Sequence, residues 1–119
     1  IITQLAASGI DYIFGVDGAN IEDLYDAAFL TDDITAILAK HEFSAATMAD
    51  GYSRAVSRIG VVAATSGGGS LNLVAGLGES LASGVPVLAL VDVILGSLGS
   101  GRPRGPARLA ARPRPGCRR

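Results

Sequence analysis

The 119-residue sequence is poor in the residues that build disulfide frameworks, metal sites and aromatic clusters. It contains one cysteine, Cys117, one histidine, His41, no tryptophan, and only 5% aromatic residues in all. These counts exclude a disulfide framework, and they also exclude a zinc site whose Cys and His ligands come from one chain. We therefore expect a reducing, cytoplasmic setting and no metal site formed by this chain alone.

The sequence also lacks an apolar run long enough to cross a membrane. The longest run, residues 85–95, includes Asp92 and is shorter than the ~20 residues that a membrane-spanning helix needs. We interpret it as a buried strand and expect no membrane association. The sequence begins Ile1-Ile2, with no initiator methionine, basic segment or cleavage site, so it shows no targeting segment. We expect it to be a fragment of a longer protein.

Acidic residues are missing from the C-terminal part of the chain. Residues 1–92 contain all 11 acidic residues, whereas residues 93–119 contain seven arginines, so the net charge of −1 averages a region of −8 and a region of +7. The Arg/Pro/Gly-rich tail cannot bury enough apolar surface to offset the entropy of ordering it. We expect residues 93–119 to be disordered or to result from out-of-frame translation. The tail lacks aromatic residues for base stacking, which argues against a nucleic-acid partner.

Residues 1–92 alternate between four short apolar runs and stretches of helical period. Apolar residues make up 49% of the sequence, and this alternation is typical of βαβ units that build a parallel sheet. The predicted strands are residues 12–16, 34–39, 59–65 and 85–91. Residues 21–28, 43–55 and 71–81 have the spacing of core-facing helices. The predicted fold is therefore α/β, a Rossmann-like parallel sheet flanked by helices, with each strand buried on both faces.

Three segments follow predicted strands, at the edge where open α/β sheets bind ligands. In residues 15–20, Asn20 is a good N-cap for the helix that follows. In residues 65–72, the Gly67-Gly68-Gly69 run suits a phosphate cradle at a helix N-terminus, or simply a turn that lets the helix pack closely on the sheet. The run lacks the Gly-Lys-Ser/Thr of a P-loop.

The third segment, residues 40–42, ends in Glu42. This glutamate opens a predicted helix, where the helix dipole favours an acidic side chain, and for the isolated residue this interpretation is the stronger one. The alternative is a carboxyl group in a partly dry cleft, with a raised pKa that lets it share a proton with a ligand nitrogen. We interpret His41 as a surface or supporting histidine and Lys40 as solvated.

Taken together, three motifs give the chain a specific family resemblance. They are FGVDGANI at residues 14–21, KHE at 40–42 with MADGYSRA at 48–55, and TSGGGSLNL at 65–73. In this order and spacing, the motifs resemble the N-terminal, pyrimidine-binding domain of thiamine diphosphate-dependent enzymes of the acetolactate synthase, pyruvate oxidase and benzoylformate decarboxylase type. The resemblance covers residues 1–91, and we expect residues 1–92 to be this domain, truncated at its C-terminal end.

The resemblance implies a catalytic role for Glu42. In that family, a glutamate at this position hydrogen-bonds N1′ of the cofactor's aminopyrimidine and shares a proton with it, which activates the cofactor for attack on a 2-oxo acid. Gly18, Thr65, Gly68 and Asn72 would line the same cleft. The implied function is thiamine diphosphate binding within a decarboxylating lyase or transferase.

The sequence also departs from the family's pattern. Asp17-Gly18 stands where relatives commonly have Pro-Gly, and Gly67-Gly68-Gly69 where they have Gly-Pro-Gly. The Gly-Asp-Gly motif through which relatives bind magnesium diphosphate is missing, so we expect that group to be held by another domain.

Several further expectations concern the whole protein. The resemblance implies a homodimer or tetramer in the full-length form, with FAD as a further cofactor of some relatives. We expect the fragment alone to be inactive. Two alternatives stay open, a non-catalytic scaffold or dimerisation domain and a nucleotide-binding α/β domain.

Overall fold

The computed structural model describes residues 1–92, and the predicted tail lies outside the described residues. All four predicted strands and all three predicted helices are present, with boundaries that differ by a few residues. A short N-terminal helix, for which the sequence analysis specified no residues, precedes them. The elements are α1 (Ile2–Ala7), β1 (Tyr12–Gly15), α2 (Glu22–Phe29), β2 (Thr35–Leu38), α3 (Glu42–Val56), β3 (Gly60–Ala64), α4 (Gly68–Ser83) and β4 (Val87–Val91).

The four strands form one parallel sheet with the order β2-β1-β3-β4. β1 pairs with β2 on one side and with β3 on the other, so that Phe14 lies beside Ile37 and Val62. After β1 the chain forms β2 at one edge of the sheet, and it then crosses back to form β3 on the other side of β1. The predicted α/β architecture is confirmed.

The alternation of side chains along β1 and β3 divides the core into two faces. Ile13 and Val61 pack on one face with buried residues of α1 and α2. Phe14 and Val62 pack on the opposite face with buried residues of α3 and α4. The helices on this second face pack against the sheet through small side chains. Three alanines of α3 are fully buried: Ala45, Ala46 and Ala49.

Burial of the strands depends on their position in the sheet. Every residue of β3 is buried, and so are three of the four residues of β1. β2 and β4 are half-exposed or exposed along their length, because within residues 1–92 each has a strand neighbour on one side only. The prediction of strands buried on both faces is correct for the two central strands and wrong for the two edge strands.

Glycine permits the turn from β3 into α4. Gly67 has φ of +77°, a backbone conformation that side chains other than glycine rarely adopt. This observation supports the interpretation of the Gly67-Gly68-Gly69 run as a tight strand-to-helix turn. Within residues 1–92, no helix combines the length and hydrophobicity that a membrane crossing requires.

Candidate functional site

The candidate site lies between the loops that follow β1 and β3. Because the connection from β1 leads to one side of the sheet and the connection into β3 returns from the other, a crevice opens at the carboxyl ends of these two strands. Two contacts bridge this crevice. Asn20 Nδ2 donates to Ser66 Oγ at 2.8 Å, and Gly18 packs against Thr65.

Gly18 occupies a turn that leaves no room for a side chain. A Cβ at this position would lie 2.9 Å from the Thr65 Cβ. The turn is fixed by two hydrogen bonds, from the Gly18 amide to Asp17 Oδ1 and from the Ile21 amide to the Gly18 carbonyl oxygen, each 2.8 Å long. The predicted site residues Gly18 and Thr65 are thus brought together.

The prediction that Asn20 caps α2 is wrong. The N-cap position of α2 is Ile21, which makes no side-chain capping hydrogen bond. The Asn20 amide instead points across the crevice to Ser66. Ser66 itself was not singled out from the sequence, because nothing in its local pattern distinguishes a loop serine with a distant partner.

Glu42 is the first residue of α3 and lies half-buried beside the start of α4. Its Oε2 accepts a hydrogen bond from Asn72 Nδ2 at 3.1 Å. Its Oε1 lies 3.1 Å from the place that a Cβ on Gly69 would occupy, and that same place is 3.0 Å from Thr65 Cγ2. Residues from α3, α4 and the β3 loop therefore meet at one carboxyl group.

The glycine that faces Glu42 is not the one chosen from the sequence. A Cβ on Gly68 would have no heavy atom within 4 Å, so the structure does not pack Gly68 against the Glu42 cluster. Gly69 is buried and takes that position. Three consecutive glycines carry no sequence signal that tells which of them approaches a side chain.

The pKa of Glu42 is lowered, contrary to the alternative interpretation that gave it a raised one. The main cause is a hydrogen bond from its own backbone N–H, followed by the hydrogen bond from Asn72, with a smaller contribution from His41. These interactions favour the charged carboxylate and outweigh the opposing effect of burial. The cleft formed by this chain is too open for desolvation to dominate.

His41 has a structural role that its sequence context did not reveal. It is the N-cap residue of α3, and its Nδ1 accepts a hydrogen bond from the Phe43 amide at 3.1 Å. This bond satisfies one of the free N–H groups of the first turn and fixes where α3 begins. Lys40 is exposed, as expected.

Tyr25 approaches the end of β1 from the opposite face of the sheet. Its hydroxyl contacts the Cα side of Gly15, where a Cβ would overlap it. Burial, together with the negative charge of Asp17, raises the pKa of Tyr25 to about 12, so the phenol stays protonated at neutral pH. Tyr25 thereby fixes α2 against the strand that leads into the Gly18 turn.

The arrangement at Glu42 suits proton sharing rather than metal binding. Within residues 1–92, no group of three or more His, Cys, Asp and Glu side chains is placed to hold a metal ion. One carboxylate oxygen is engaged by Asn72, and the other lies against Gly69, which has no side chain. Glycines beside a polar group allow a flat ligand to approach closely. The site can therefore accept a hydrogen bond from a ring nitrogen, or share a proton with one.

Comparison with known proteins identifies relatives of this arrangement. Residues 1–94 match the family described as thiamine pyrophosphate enzyme, N-terminal TPP binding domain. The acetolactate synthase large subunit of Buchnera aphidicola (subsp. Schizaphis graminum) is 37% identical over 98 residues, which cover 82% of this chain and 17% of the relative. The acetolactate synthase isozyme 2 large subunit of Escherichia coli (strain K12) is 39% identical over 94 residues, covering 79% of this chain and 17% of the relative.

A solved structure has the same fold. It is a protein isolated from Mycobacterium smegmatis and described as a thiamin diphosphate-dependent enzyme, with a TM-score of 0.70 and 24% sequence identity. The match covers 76% of this chain and 17% of that one. The chain thus spans about a sixth of the length of the relatives it matches.

Proposed function

Because the chain belongs to the thiamine pyrophosphate enzymes, as their N-terminal TPP binding domain, we propose that it forms the half of a thiamine diphosphate site that holds the aminopyrimidine ring. Glu42 is the catalytic residue of this half-site. Residues 1–92 form the pyrimidine-binding domain in this proposal. The further residues that contact the ligand are Gly18, Thr65, Gly68 and Asn72.

One observation above all supports this proposal. The Glu42 carboxylate is held by Asn72 through one oxygen, while its other oxygen lies against Gly69, where a side chain would crowd it. A second glycine, Gly18, packs against Thr65 in the neighbouring turn and also presents no side chain. A carboxylate bordered by glycine rather than by a side chain can be approached by a flat, nitrogen-containing ring.

The chemistry of the chain's own residues follows from this geometry. Glu42 Oε1 is the atom at which a proton is held and exchanged with a ring nitrogen, while the bond to Asn72 keeps the carboxylate from rotating. Bound thiamine diphosphate would supply the electron sink that a 2-oxo acid needs when it loses carbon dioxide. Because its pKa is lowered, Glu42 of the chain alone is an ionised carboxylate at neutral pH and a weak proton acceptor.

The remainder of the site belongs to parts of a longer protein. Covering the crevice with a second domain would remove water from Glu42 and raise its pKa. A carboxyl group whose pKa is closer to that of a ring nitrogen shares a proton with it more readily. In such a protein, magnesium and the diphosphate would be bound by that other domain, as part of a homodimer or tetramer in the cytoplasm. We propose a 2-oxo acid lyase or transferase of the acetolactate synthase type, in which FAD is a further candidate cofactor.

Ligand binding by the chain itself gives the first test. In an isotope-labelled chain titrated with 4-amino-5-hydroxymethyl-2-methylpyrimidine, the ring portion of the cofactor, we expect NMR shift changes at Glu42, Gly69 and Asn72. Glu42→Gln should weaken the titration because an amide cannot share the carboxyl proton. Glu22→Gln is the matched control, because Glu22 is exposed on α2, away from α3 and α4. Shift changes that do not depend on Glu42 would contradict its assignment.

Catalysis gives the second test. Residues 1–92 replace the matching segment of the Escherichia coli isozyme 2 large subunit, and turnover of pyruvate is measured. We expect Glu42→Gln to reduce turnover by about 10²–10⁴-fold, the usual contribution of a positioned proton-transfer group, with cofactor-dependent activity retained in Glu22→Gln. A folded chimera that is active with glutamine at position 42 would exclude the catalytic role. A folded chimera without activity in either form would favour a scaffold domain.

A further inference from the structure

Helices α3 and α4 touch at three points that follow one register. Glu42 hydrogen-bonds Asn72 at 3.1 Å. One helical turn further along both helices, Ala46 packs against Gly76, and after another turn Ser80 Oγ donates to Asp50 Oδ1 at 2.8 Å. The three contacts, which we call the α3–α4 register contacts, each join residues 30 positions apart.

The middle contact sets how closely the two helices approach. A Cβ on Gly76 would lie 2.5 Å from the Ala46 Cβ and 2.8 Å from the Phe43 carbonyl oxygen. On the α3 side, the contact is made by the fully buried Ala46 and by the backbone carbonyl of Phe43. Since neither helix has a flexible side chain here that could move aside, the backbones themselves determine the spacing.

The third contact fixes the sliding and rotation of α4 relative to α3. The Ser80–Asp50 hydrogen bond is buried, and Asp50 is also held by Arg54, whose Nε lies 2.7 Å from Asp50 Oδ2. Arg54 reaches in turn to Glu79 of α4 at 3.5 Å. A buried carboxylate with two fixed donors leaves Ser80 a single favourable position.

From these contacts we infer that Ser80, Asp50 and Gly76 are positioning residues for Glu42, which act by holding Asn72 within hydrogen-bond distance of its carboxylate. The inference rests on the proposed function for its catalytic meaning, although the geometry it concerns is present in the chain alone. Glu42 and Asn72 each stand one turn before the point of closest approach. A small change in helix spacing there therefore moves the two side chains apart.

The two carboxyl groups of these contacts, Glu42 and Asp50, have different charged and titratable neighbours. Glu42 is faced from α4 by two uncharged residues, Asn72 and Gly69, and its titratable neighbour is His41, the N-cap residue of α3. Asp50 is charge-paired with Arg54, which links it to Glu79. Since Asp50 lies two turns from Glu42, a substitution of Ser80 acts on Glu42 through helix position rather than through direct contact.

The test is a carboxyl NMR titration of Glu42 in the cofactor-free chain, with Ser80→Ala as the variant and Ser83→Ala as its control. Ser83 lies on the same helix and donates to the exposed Glu79. We expect the Glu42 pKa to rise toward its ordinary value in Ser80→Ala, because the Asn72 hydrogen bond weakens. Ser83→Ala should leave the Glu42 pKa unchanged. An equal Glu42 pKa in Ser80→Ala and the unmodified chain would overturn the inference.

A double-variant comparison separates positioning from general loosening. Asn72→Ala alone should also raise the Glu42 pKa. If Ser80 acts through Asn72, adding Ser80→Ala to Asn72→Ala produces no further rise, whereas two additive rises would contradict the inference. Where Ser80→Ala unfolds the chain, Asp50→Asn in the same comparison weakens the same contact without loss of volume, because only one of the two oxygens that accept from Ser80 and Arg54 remains. Since no cofactor is present, failure here is distinguishable from failure of the proposed function.

Discussion

At the scale of single residues, the site depends on glycines, which place no side-chain atoms beside Glu42 and Thr65. A Cβ on Gly69 would meet Thr65 and the Glu42 carboxylate, whereas a Cβ on the adjacent Gly68 would face open space. The two glycines lie in the same turn of α4 and differ by one position in sequence. They therefore form a natural pair for measuring how much the site depends on a missing methyl group.

We predict opposite effects of alanine at these two positions. Gly69→Ala places a methyl group 3.1 Å from Glu42 Oε1 and 3.0 Å from Thr65 Cγ2, and should destabilise the fold by about 1–3 kcal/mol because the pocket is already filled. Gly68→Ala meets nothing and should stabilise by about 0.4–1 kcal/mol, by restricting the unfolded chain. Urea unfolding measures both, and a Gly69→Ala chain as stable as the unmodified one would show that the pocket is roomier than described.

Residue chemistry could be predicted from the sequence only in part. The position of Glu42 after a strand and at a helix start was enough to single it out, because both features are local. Its pKa is lowered mainly by a hydrogen bond from its own backbone N–H and then by Asn72. The first contact is local, but the second comes from a residue 30 positions away, and the openness of the cleft that limits desolvation is not a local feature either. The roles of Asn20 and Ser66 escaped for the same reason, because their partner is across the crevice.

At the scale of elements, α3 and α4 depend on backbone contact rather than on large interlocking side chains. Their interface contains alanines and one glycine at its closest point. Such an interface is sensitive to added volume, because the energy of close packing falls steeply when helices are forced apart.

We predict that Gly76→Ala destabilises the chain by about 1–3 kcal/mol, because the new methyl group overlaps Ala46 and the Phe43 carbonyl. Gly78→Ala, on the open side of the same helix, is the control. It should stabilise by about 0.5–1 kcal/mol because alanine is the better helix former. The check is a pair of urea unfolding curves. Similar losses at both positions would mean that the helix spacing is not set at Gly76.

The helices and strands could be predicted from the sequence more completely than the roles of single residues. Strands and the longer helices follow from apolar periodicity, and Asp50 and Arg54, four residues apart on α3, form an ion pair at 2.7 Å. Strand burial was predictable only for β1 and β3. Which strand lies at an edge depends on the crossing connections, and a continuous apolar run reads the same in either place.

At the scale of the whole molecule, the two lowered carboxyl pKa values couple folding to pH. Arg54 and Ser80 hold the pKa of Asp50 below its ordinary value, and the pKa of Glu42 is lowered as well. Groups whose pKa is lower in the folded state stabilise it fully above the unfolded pKa, which is about 4 for both. That stabilisation is lost as the pH falls through the folded values.

We therefore predict that the contribution of these two carboxyl groups to the free energy of unfolding is constant near neutral pH. That contribution decreases on acidification below about pH 4. Asp50→Asn should lower stability at neutral pH and flatten the acid-side decline, since one of the two linked carboxyl groups is gone. Asp26→Asn, at an exposed position of α2, serves as the control. The measurement is the free energy of unfolding in urea between pH 7 and the acid limit, and an unchanged acid slope in Asp50→Asn would refute the linkage.

The 30-residue offset between α3 and α4 also limits where this chain can change in length. One residue inserted between Glu42 and Asp50 would turn Glu42 by about 100° around the helix axis, away from Asn72, while leaving the sheet intact. The same insertion in the exposed loop between α3 and β3 alters the spacing in sequence but neither helix. Length variation among natural homologues should therefore accumulate in that loop and be excluded from the first two turns of both helices.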